Sequence, residues 1–294
     1  MIDVTIRNQH GESISLLNGG LWYLAAPIEG AFAGPIDGFL QRGPLQHGAT
    51  DMGYRLRERT IRLVIGIDAP NRASFWNMRS TLSRLFAPDA QLKLMVTYED
   101  GRKRVLDVVR RDQPREGDIQ AFQQEIAFSL VAPDPTWYDP SMVFVAYGVS
   151  GSGSTGLTFP AAFPWTFGAS TIDATRSIQN RGEWLSYPVI ELTGPLTSPV
   201  IRNLTTGEKL DFTGLNLATG ERIIVDCRYG QKTVVDGTGA NRIAALSTDS
   251  DLATFHLEAH PRAVDGVNVI RVTASNATTT SEIYIRFYER YLGV

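Results

Sequence analysis

Cysteine is almost absent from this chain, since Cys227 is the one cysteine among 294 residues. It cannot form an internal disulfide, and it lies in an alternating segment with no histidine beside it in sequence, which indicates a small buried thiol. The glycosylation sequons at Asn203 and Asn276 are therefore interpreted as chance matches.

Long hydrophobic runs are missing as well. No apolar segment approaches the length of a membrane span, and residues 1–7 alternate like a first strand instead of showing the charged and apolar regions of a signal peptide. We expect a chain that is made and kept in the cytoplasm and has no membrane anchor.

Neither sign of charge dominates. The formal net charge is −3, and basic and acidic residues are nearly balanced in both halves, so neither half is expected to bind a polyanion through bulk charge. The chain is 43% hydrophobic and 20% charged, as is usual for a soluble globular protein. Its length favours two domains with sufficient cores, so we expect folding to need no cofactor.

The first third of the chain begins without a regular pattern of apolar residues and then becomes clearly periodic. Residues 1–50 predict two short strands and a long loop from Gly30 to Gly48, and such a loop is usually functional or mobile. A single strand is predicted from Tyr54 to Asp68. Along one face it changes from arginine to aliphatic residues, in the order Arg55, Arg57, Arg59, Ile61, Leu63, Ile65 and Ile67. The arginine half predicts pairing with a neighbouring subunit, and the alternative is a solvated strand end.

One helix is predicted between Asp68 and Pro88. Its apolar stripe consists of Phe75, Met78, Leu82 and Leu85. Two strands follow, joined by a hairpin turn at Asp100-Gly101. The first domain is therefore predicted to be a β structure with one helix packed on it.

A proline-rich segment ends the next alternating strand. Pro133, Pro135 and Pro140 fix their own φ angles and restrict the residues before them, which predicts a stiff strut. Trp137 and Tyr138 are its expected anchor points, with Trp137 buried. The alternative is an ordinary strand exit with two aromatics that close the edge of a core.

Residues 148–170 contain five glycines and no charged residue. The glycine spacing imitates nucleotide-binding loops, but Pro160 prevents the helix that a dinucleotide site needs, and Leu157 stands in place of the lysine that a phosphate loop needs. A flexible connector is predicted instead. Its aromatic residues are expected to dock on the second domain or on a partner, and they are Phe159, Phe163, Trp165 and Phe167.

The second half consists of short alternating segments bounded by turn residues, which is typical of a β-sandwich. The predicted strands are Tyr187 to Leu192, Val200 to Phe212, Arg222 to Arg228, Asn241 to Leu246, Thr254 to Leu257, Val267 to Thr273 and Glu282 to Tyr288.

Catalytic motifs do not stand out. His256, Glu258 and His260 would share a face of a strand and could hold a surface metal, but leucine follows the first histidine where the metalloprotease motif has glutamate. A solvated sandwich face is the preferred interpretation, with no metal and no enzyme activity. A carbohydrate-binding module with Trp184 in a groove and a glycosidase without local signature stay as alternatives.

The junction text carries a resemblance to a known family. An alternating strand that leads into Ala132-Pro-Asp-Pro-Thr-Trp-Tyr-Asp139 about halfway along the chain resembles the distal tail (Dit) proteins of long-tailed bacteriophages. Tyr187-Pro-Val-Ile190 and Asn203-Leu-Thr-Thr-Gly207 are similar to text in the second half of that family.

The resemblance implies a mainly β fold with a tail-tube-like N-terminal barrel or sandwich at 1–147, a connector arm at 148–170 and a galectin-like β-sandwich at 171–294. It also implies a structural virion protein of the tail tip, assembled in the host cytoplasm, whose homohexameric ring joins the tail tube to the tip hub. The implied partners are the major tail-tube protein, the tail tip hub or tail-associated protein and the tape-measure protein, with DNA only as the transiting genome.

Overall fold

Strands dominate the computed structural model, which describes residues 3–17, 19–148 and 171–294. The predicted mainly β fold is confirmed, and the described residues contain one α-helix. Two compact units divide the chain: Met1–Pro140 with Tyr291–Val294, and Ser141–Arg290.

The elements of the first unit are numbered in chain order. They are β1 (Asp3–Asn8), β2 (Ser13–Leu16), β3 (Trp22–Leu24), β4 (Ile36–Gln41), β5 (Thr50–Leu56), β6 (Arg59–Asp68), α1 (Arg72–Leu85), β7 (Gln91–Thr97), β8 (Lys103–Arg110), β9 (Arg115–Glu116), β10 (Gln123–Ala132) and β11 (Trp137–Tyr138).

Further elements follow from residue 143 onward. They are β12 (Val143–Gly148), β13 (Ile172–Gln179), β14 (Val189–Thr193), β15 (Leu196–Asn203), β16 (Lys209–Asp211), β17 (Asn216–Leu217), β18 (Arg222–Asp226), β19 (Thr233–Asp236), β20 (Val267–Ser275), β21 (Glu282–Phe287), β22 (Arg290–Tyr291) and the short 3-10 helices Ile243–Ala245 and Val264–Gly266.

The main sheet of the first unit is nearly a closed barrel. Its strand order is β2-β1-β7-β8-β10-β6-β3. The backbone N–H of Leu17 donates to the carbonyl of Trp22 at 3.2 Å, which brings the outer strands β2 and β3 together. Alternating side chains of the strands point inward, as the period of two requires. The most deeply buried of them include Ile6, Ile61, Leu63, Ile65, Ile67, Leu94, Leu106 and Leu130.

Helix α1 packs its predicted stripe on this barrel. The side chain of Asn71 accepts a hydrogen bond from the N–H of Ser74 at 2.9 Å and so caps the first turn. The buried residues of the helix are Phe75, Met78, Leu82 and Leu85, which confirms the predicted face.

The predicted single strand from Tyr54 to Asp68 is wrong. The chain leaves one strand at Leu56 and begins another at Arg59, so β5 and β6 belong to different sheets. Strand β6 lies between β10 and β3 and is not an edge. Alternation continues across the break in the sequence, so the pattern alone did not reveal it.

The second unit is a β-sandwich, as predicted. One sheet has the order β12-β21-β14-β18-β19, and the other has the order β13-β20-β15-β16 with β17 beside β15. Inward residues of both sheets form one core. Its fully buried members include Tyr147, Ile190, Leu192, Ile201, Val225, Ile270, Val272, Ile283 and Ile285.

Several details of this unit differ from the sequence prediction. Strand β12, which was assigned to the first domain, pairs with β21 from Val143↔Phe287 to Gly148↔Glu282 and so belongs to the sandwich. The predicted strand at 241–246 contains a 3-10 helix, and residues 254–257 form only an isolated bridge through Leu257. Strands β13, β17 and β19 were missed.

A hydrogen-bonded turn after β19 makes the stability of the sandwich depend on pH. The Asp236 carboxylate accepts hydrogen bonds from the Thr238 hydroxyl at 2.6 Å, the Thr238 N–H at 2.9 Å and the Ala240 N–H at 3.0 Å. These bonds hold the pKa of Asp236 at about 2, below its ordinary 3.8, and the bond from the Thr238 hydroxyl makes the largest contribution.

Because the folded pKa is the lower one, this carboxylate stabilises the fold above its ordinary pKa, and the contribution is lost as the pH falls toward about 2. Asp236→Asn should therefore lower the melting temperature near neutral pH and should match the unmodified chain near pH 2. Melting curves across this range are the measurement. Asp265→Asn is the charge-matched control, and equal losses at every pH would contradict the expectation.

Candidate interaction surface

The chain between β3 and β6 forms a two-stranded ribbon, in which β4 pairs with β5 and, among the described residues, with no other strand. Ile36 lies opposite Leu56 and Gly38 opposite Tyr54, so Ile36, Tyr54 and Leu56 share one face. An isolated two-stranded ribbon is marginally stable in water. Each strand also has one edge that no described strand covers.

Large apolar side chains are exposed along this ribbon and in the loops beside it. They are Phe32, Ile36, Phe39, Leu40, Leu45, Met52 and Tyr54, and we call this set the apolar ribbon surface. Leu40 is 65% exposed and Phe32 is 82% exposed. A concentration of large apolar side chains in one short stretch is typical of an interaction site.

Only part of this surface was predicted from the sequence. A long loop from Gly30 to Gly48 of functional or mobile character was predicted, but β4 within that loop was missed. The alternation of Ile36, Gly38 and Leu40 was present in the sequence. It contained no sign that this face would be left outside the core.

Two of the three predicted interface arginines lie on the ribbon. The Asp37 carboxylate is 3.1 Å from Arg55 and 3.4 Å from Arg57, whose side chains are 69% and 52% exposed. Arg55 also lies over the ring of Phe39 at 5.8 Å. Exposed ion pairs contribute little stability. Both guanidinium groups therefore stay candidates for an interface.

Arg59 is not on that exposed face, and its prediction as an exposed interface residue is wrong. Its side chain is buried in the first unit and donates to four backbone carbonyls: Pro135 at 2.7 Å, Gly30 at 3.0 Å, Ala31 at 2.9 Å and Leu292 at 2.5 Å. Burial lowers the pKa of Arg59 to about 10, so the group stays charged at neutral pH. The guanidinium ties together separate segments of the first unit.

Trp137, the first aromatic of the strut, lies beside the carbonyls that bind Arg59. Trp137 is fully buried, as predicted, and its indole N–H donates to the carbonyl of Ala31 at 3.1 Å. Asp134, between Pro133 and Pro135, accepts hydrogen bonds from the N–H and hydroxyl of Thr136 at 3.2 and 2.7 Å. This segment is thus fixed by local bonds as well as by its prolines.

The second aromatic of the strut lies at the surface of the barrel. The Tyr138 hydroxyl is 3.2 Å from both carboxylate oxygens of Asp107 and accepts a hydrogen bond from Lys93 at 2.9 Å. Pro140 is the last residue of the first unit before the chain enters the second. That the strut sets the pose of the two domains stays a prediction.

The predicted connector aromatics, Phe159, Phe163, Trp165 and Phe167, lie outside the described residues. The connector at 148–170 therefore stays a prediction, apart from Gly148, which ends β12.

The histidine pair forms no strand face. His256 Nε2 is 3.1 Å from Glu258, and His256 Nδ1 is 3.2 Å from Glu208. Among residues 3–17, 19–148 and 171–294, no group of three or more histidine, cysteine, aspartate or glutamate residues could hold a metal ion. Cys227 is buried as predicted, and burial raises the pKa of its thiol to about 12.

Trp184 is half-buried with the Arg262 guanidinium 4.8 Å above its ring. Within the part of the chain that the structure describes, no helix is long and apolar enough to cross a membrane.

A barrel with one packed helix, followed by a β-sandwich, defines a two-unit, mainly β class of protein. The SPP1 Dit protein, whose structure is described as a paradigm of the hub adsorption apparatus in phages that infect Gram-positive bacteria, is similar over 98% of this chain and 99% of its own. The TM-score is 0.65 and the identity is 14%.

A chain of the phage P2 baseplate in its activated conformation is similar over 97% of this chain and 98% of its own, with a TM-score of 0.50 and 11% identity. No protein-family model and no curated protein matches the sequence. At these identities the likeness is one of fold. It confirms the resemblance to the distal tail proteins at that level.

Proposed function

We propose that this chain is a structural protein of a phage tail whose copies close into a homohexameric ring. The ring joins the tail tube to the tip hub and continues the channel through which DNA passes. The observation that carries the proposal is the apolar ribbon surface, which belongs to the barrel and is exposed in the single chain.

The fold likeness supports the tail assignment. The SPP1 Dit protein shares both units of this chain over nearly its whole length. A tail component has to hold together by contacts between copies and with its neighbours in the tail, and it needs no cofactor or catalytic group for this task. We therefore infer a structural role without enzyme activity.

The physical argument for self-assembly rests on the ribbon. If another copy covers its apolar side chains, burial contributes about 25 cal/mol of favourable free energy for each Å² of apolar surface removed from water. Its strand edges gain backbone hydrogen bonds if they pair with a neighbour, and closed symmetry then removes every open edge. Arg55 and Arg57 add planar donors that suit carboxylates of the adjacent copy.

The remaining partners follow from a ring at the tail tip. One face of the ring meets the major tail-tube protein, and the other meets the tip hub or tail-associated protein. The tape-measure protein and the transiting genome occupy the axis. Assembly takes place in the host cytoplasm, and the final location is the virion.

Leu40→Glu tests the ribbon directly. Leu40 is 65% exposed, so the substitution should leave the barrel folded and should weaken ring formation by placing a charge in an apolar contact. Sedimentation velocity of the full chain should show a shift toward monomer, with a dissociation constant at least tenfold higher.

Leu204→Glu is the matched control, because Leu204 is 49% exposed but lies in the second unit. Equal sedimentation of the unmodified chain and both variants, all assembled, would refute the role of the ribbon. The double variant Arg55→Glu and Arg57→Glu addresses the polar part of the contact. It should weaken assembly more at low salt than at high salt.

A further inference from the structure

An open cavity of about 360 Å³ lies on the outward face of the sandwich sheet that contains β12, β21, β14, β18 and β19. Its floor is formed where β14 begins and where β18 and β21 end. Asp226 and Arg286 are both register partners of Val189, so the three side chains lie in one row across adjacent strands. With strands about 4.8 Å apart, the row is about 10 Å long.

One end of the row holds a rigid pair of opposite charges. Arg228 Nε is 3.0 and 3.1 Å from the two Asp226 oxygens, and Arg228 Nη2 is 2.6 Å from the second of them. The N–H of Arg228 also donates to Asp226 at 3.0 Å. Arg228 Nη1 makes no hydrogen bond with the described residues. The Asp226–Arg228 pair is therefore fixed in position, and the Nη1 group of Arg228 can still donate hydrogen bonds to a ligand.

The other end of the row holds an arginine with little to bind. Arg286 Nη1 is 3.7 Å from the Glu191 carboxylate, which is longer than a hydrogen bond, and its guanidinium makes no hydrogen bond within residues 3–17, 19–148 and 171–294. Glu191 is shared with Arg222, whose Nη1 is 3.6 Å from it. The five N–H groups of Arg286 are thus placed beside the cavity without a fixed protein acceptor.

A tyrosine of fixed orientation forms one wall. The ring of Tyr187 meets the ring of Tyr229 edge-on, with centroids 4.8 Å apart, and the Lys232 ammonium lies 4.7 Å over its centre. These contacts hold the ring before any ligand arrives, which lowers the cost of binding.

We propose that this cavity binds a neutral saccharide. Its volume lies within the usual range for small-molecule sites, about 300 to 1,000 Å³, and the row spans the length of one to two sugar rings. Vicinal hydroxyls of a sugar can donate hydrogen bonds to the Asp226 carboxylate and can accept them from the guanidinium groups of Arg228 and Arg286. The apolar parts of a sugar fit the Tyr187 wall and the side chain of Ile224.

The charges favour a neutral ligand over an anion. Arg228 is neutralised by Asp226, and Glu191 offsets part of the charge of Arg286. Lys232 lies over the ring of Tyr187 but does not line the cavity, so an anion would meet mainly the partly offset charge of Arg286. The proposal goes beyond the structural role and does not depend on ring formation.

Titration of the full chain with neutral hexose, N-acetylhexosamine and uronic acid tetrasaccharides, followed by saturation-transfer NMR and calorimetry, tests the proposal. At least one of the two neutral probes should bind saturably. Arg286→Gln should weaken that binding roughly tenfold or more, because hydrogen bonds from a charged donor are lost.

Arg222→Gln is the matched control, since Arg222 approaches the same carboxylate but does not line the cavity. It should bind as the unmodified chain does, and melting curves of both variants should confirm that each is folded. No saturable binding by any probe, equal losses in both variants, or binding confined to acidic sugars would overturn the proposal.

Discussion

Replacement of Arg59 by methionine should lower the free energy of unfolding of the first unit by about 3 to 5 kcal/mol. The guanidinium donates to the carbonyls of Gly30, Ala31, Pro135 and Leu292, which come from three segments of the chain. The Ala31 carbonyl keeps its bond from Trp137. A buried carbonyl left without a donor, such as that of Gly30 or Pro135, costs about 1 to 3 kcal/mol, and water entering the space recovers part of that.

Hydrogen exchange of peptides from β6 and β10 measures this effect in the first unit alone, because these two strands belong to that unit and pair along ten residues. Arg62→Met on the same strand is the control, since the Arg62 side chain is 45% exposed and its ion pair with Glu29 is 3.6 Å long. Equal protection in the two variants would contradict the account of Arg59.

Trp137→Ala should have an effect of similar size. Trp137 is fully buried in the barrel core, and removal of a buried tryptophan costs about 3 to 5 kcal/mol through lost burial and the cavity left behind. For a unit of this size the melting temperature should fall by about 10 °C. Trp137→Phe should cost less, because it keeps most of the apolar surface and loses the bond to Ala31.

Trp76→Ala is the control for this prediction, because Trp76 is 49% exposed on α1. A melting curve of Trp137→Ala that matches that of the unmodified chain would show that the Trp137 side chain does not stabilise the core. The Ala31 carbonyl accepts bonds from both Trp137 and Arg59, so losses in the double variant should not be additive.

Periodicity was a sound guide wherever one face of an element meets a core. The helix stripe from Phe75 to Leu85 was predicted correctly, because a period of 3.6 follows directly from burial of one face. The sandwich was predicted for the same reason.

Periodicity failed where the chain changes sheet without changing its pattern. Alternation continues through Arg57 and Arg59, yet the strand ends at Leu56 and Arg59 is buried. The carbonyls that bind Arg59 come from distant segments, and no local signal in the sequence predicts such a cluster. Burial of a charged side chain depends on tertiary contacts, and these cannot be read from the strand propensity of the local sequence.

The candidate site was predicted only in part. The loop from Gly30 to Gly48 was expected to be functional or mobile, and Arg55 and Arg57 were expected to be exposed. Exposure of Leu40 and Met52 could not be predicted, because an apolar residue in an alternating segment normally points toward a core. Only the pairing of β4 with β5 outside the main sheet reveals that these residues have no core to enter.

The central claim is that copies of this chain close into a ring, and native mass spectrometry of the purified full chain tests it most directly. The account predicts a dominant species that contains six copies of the 32.4 kDa chain. A chain that stays monomeric at every accessible concentration, even when the tail-tube protein is added, would contradict it.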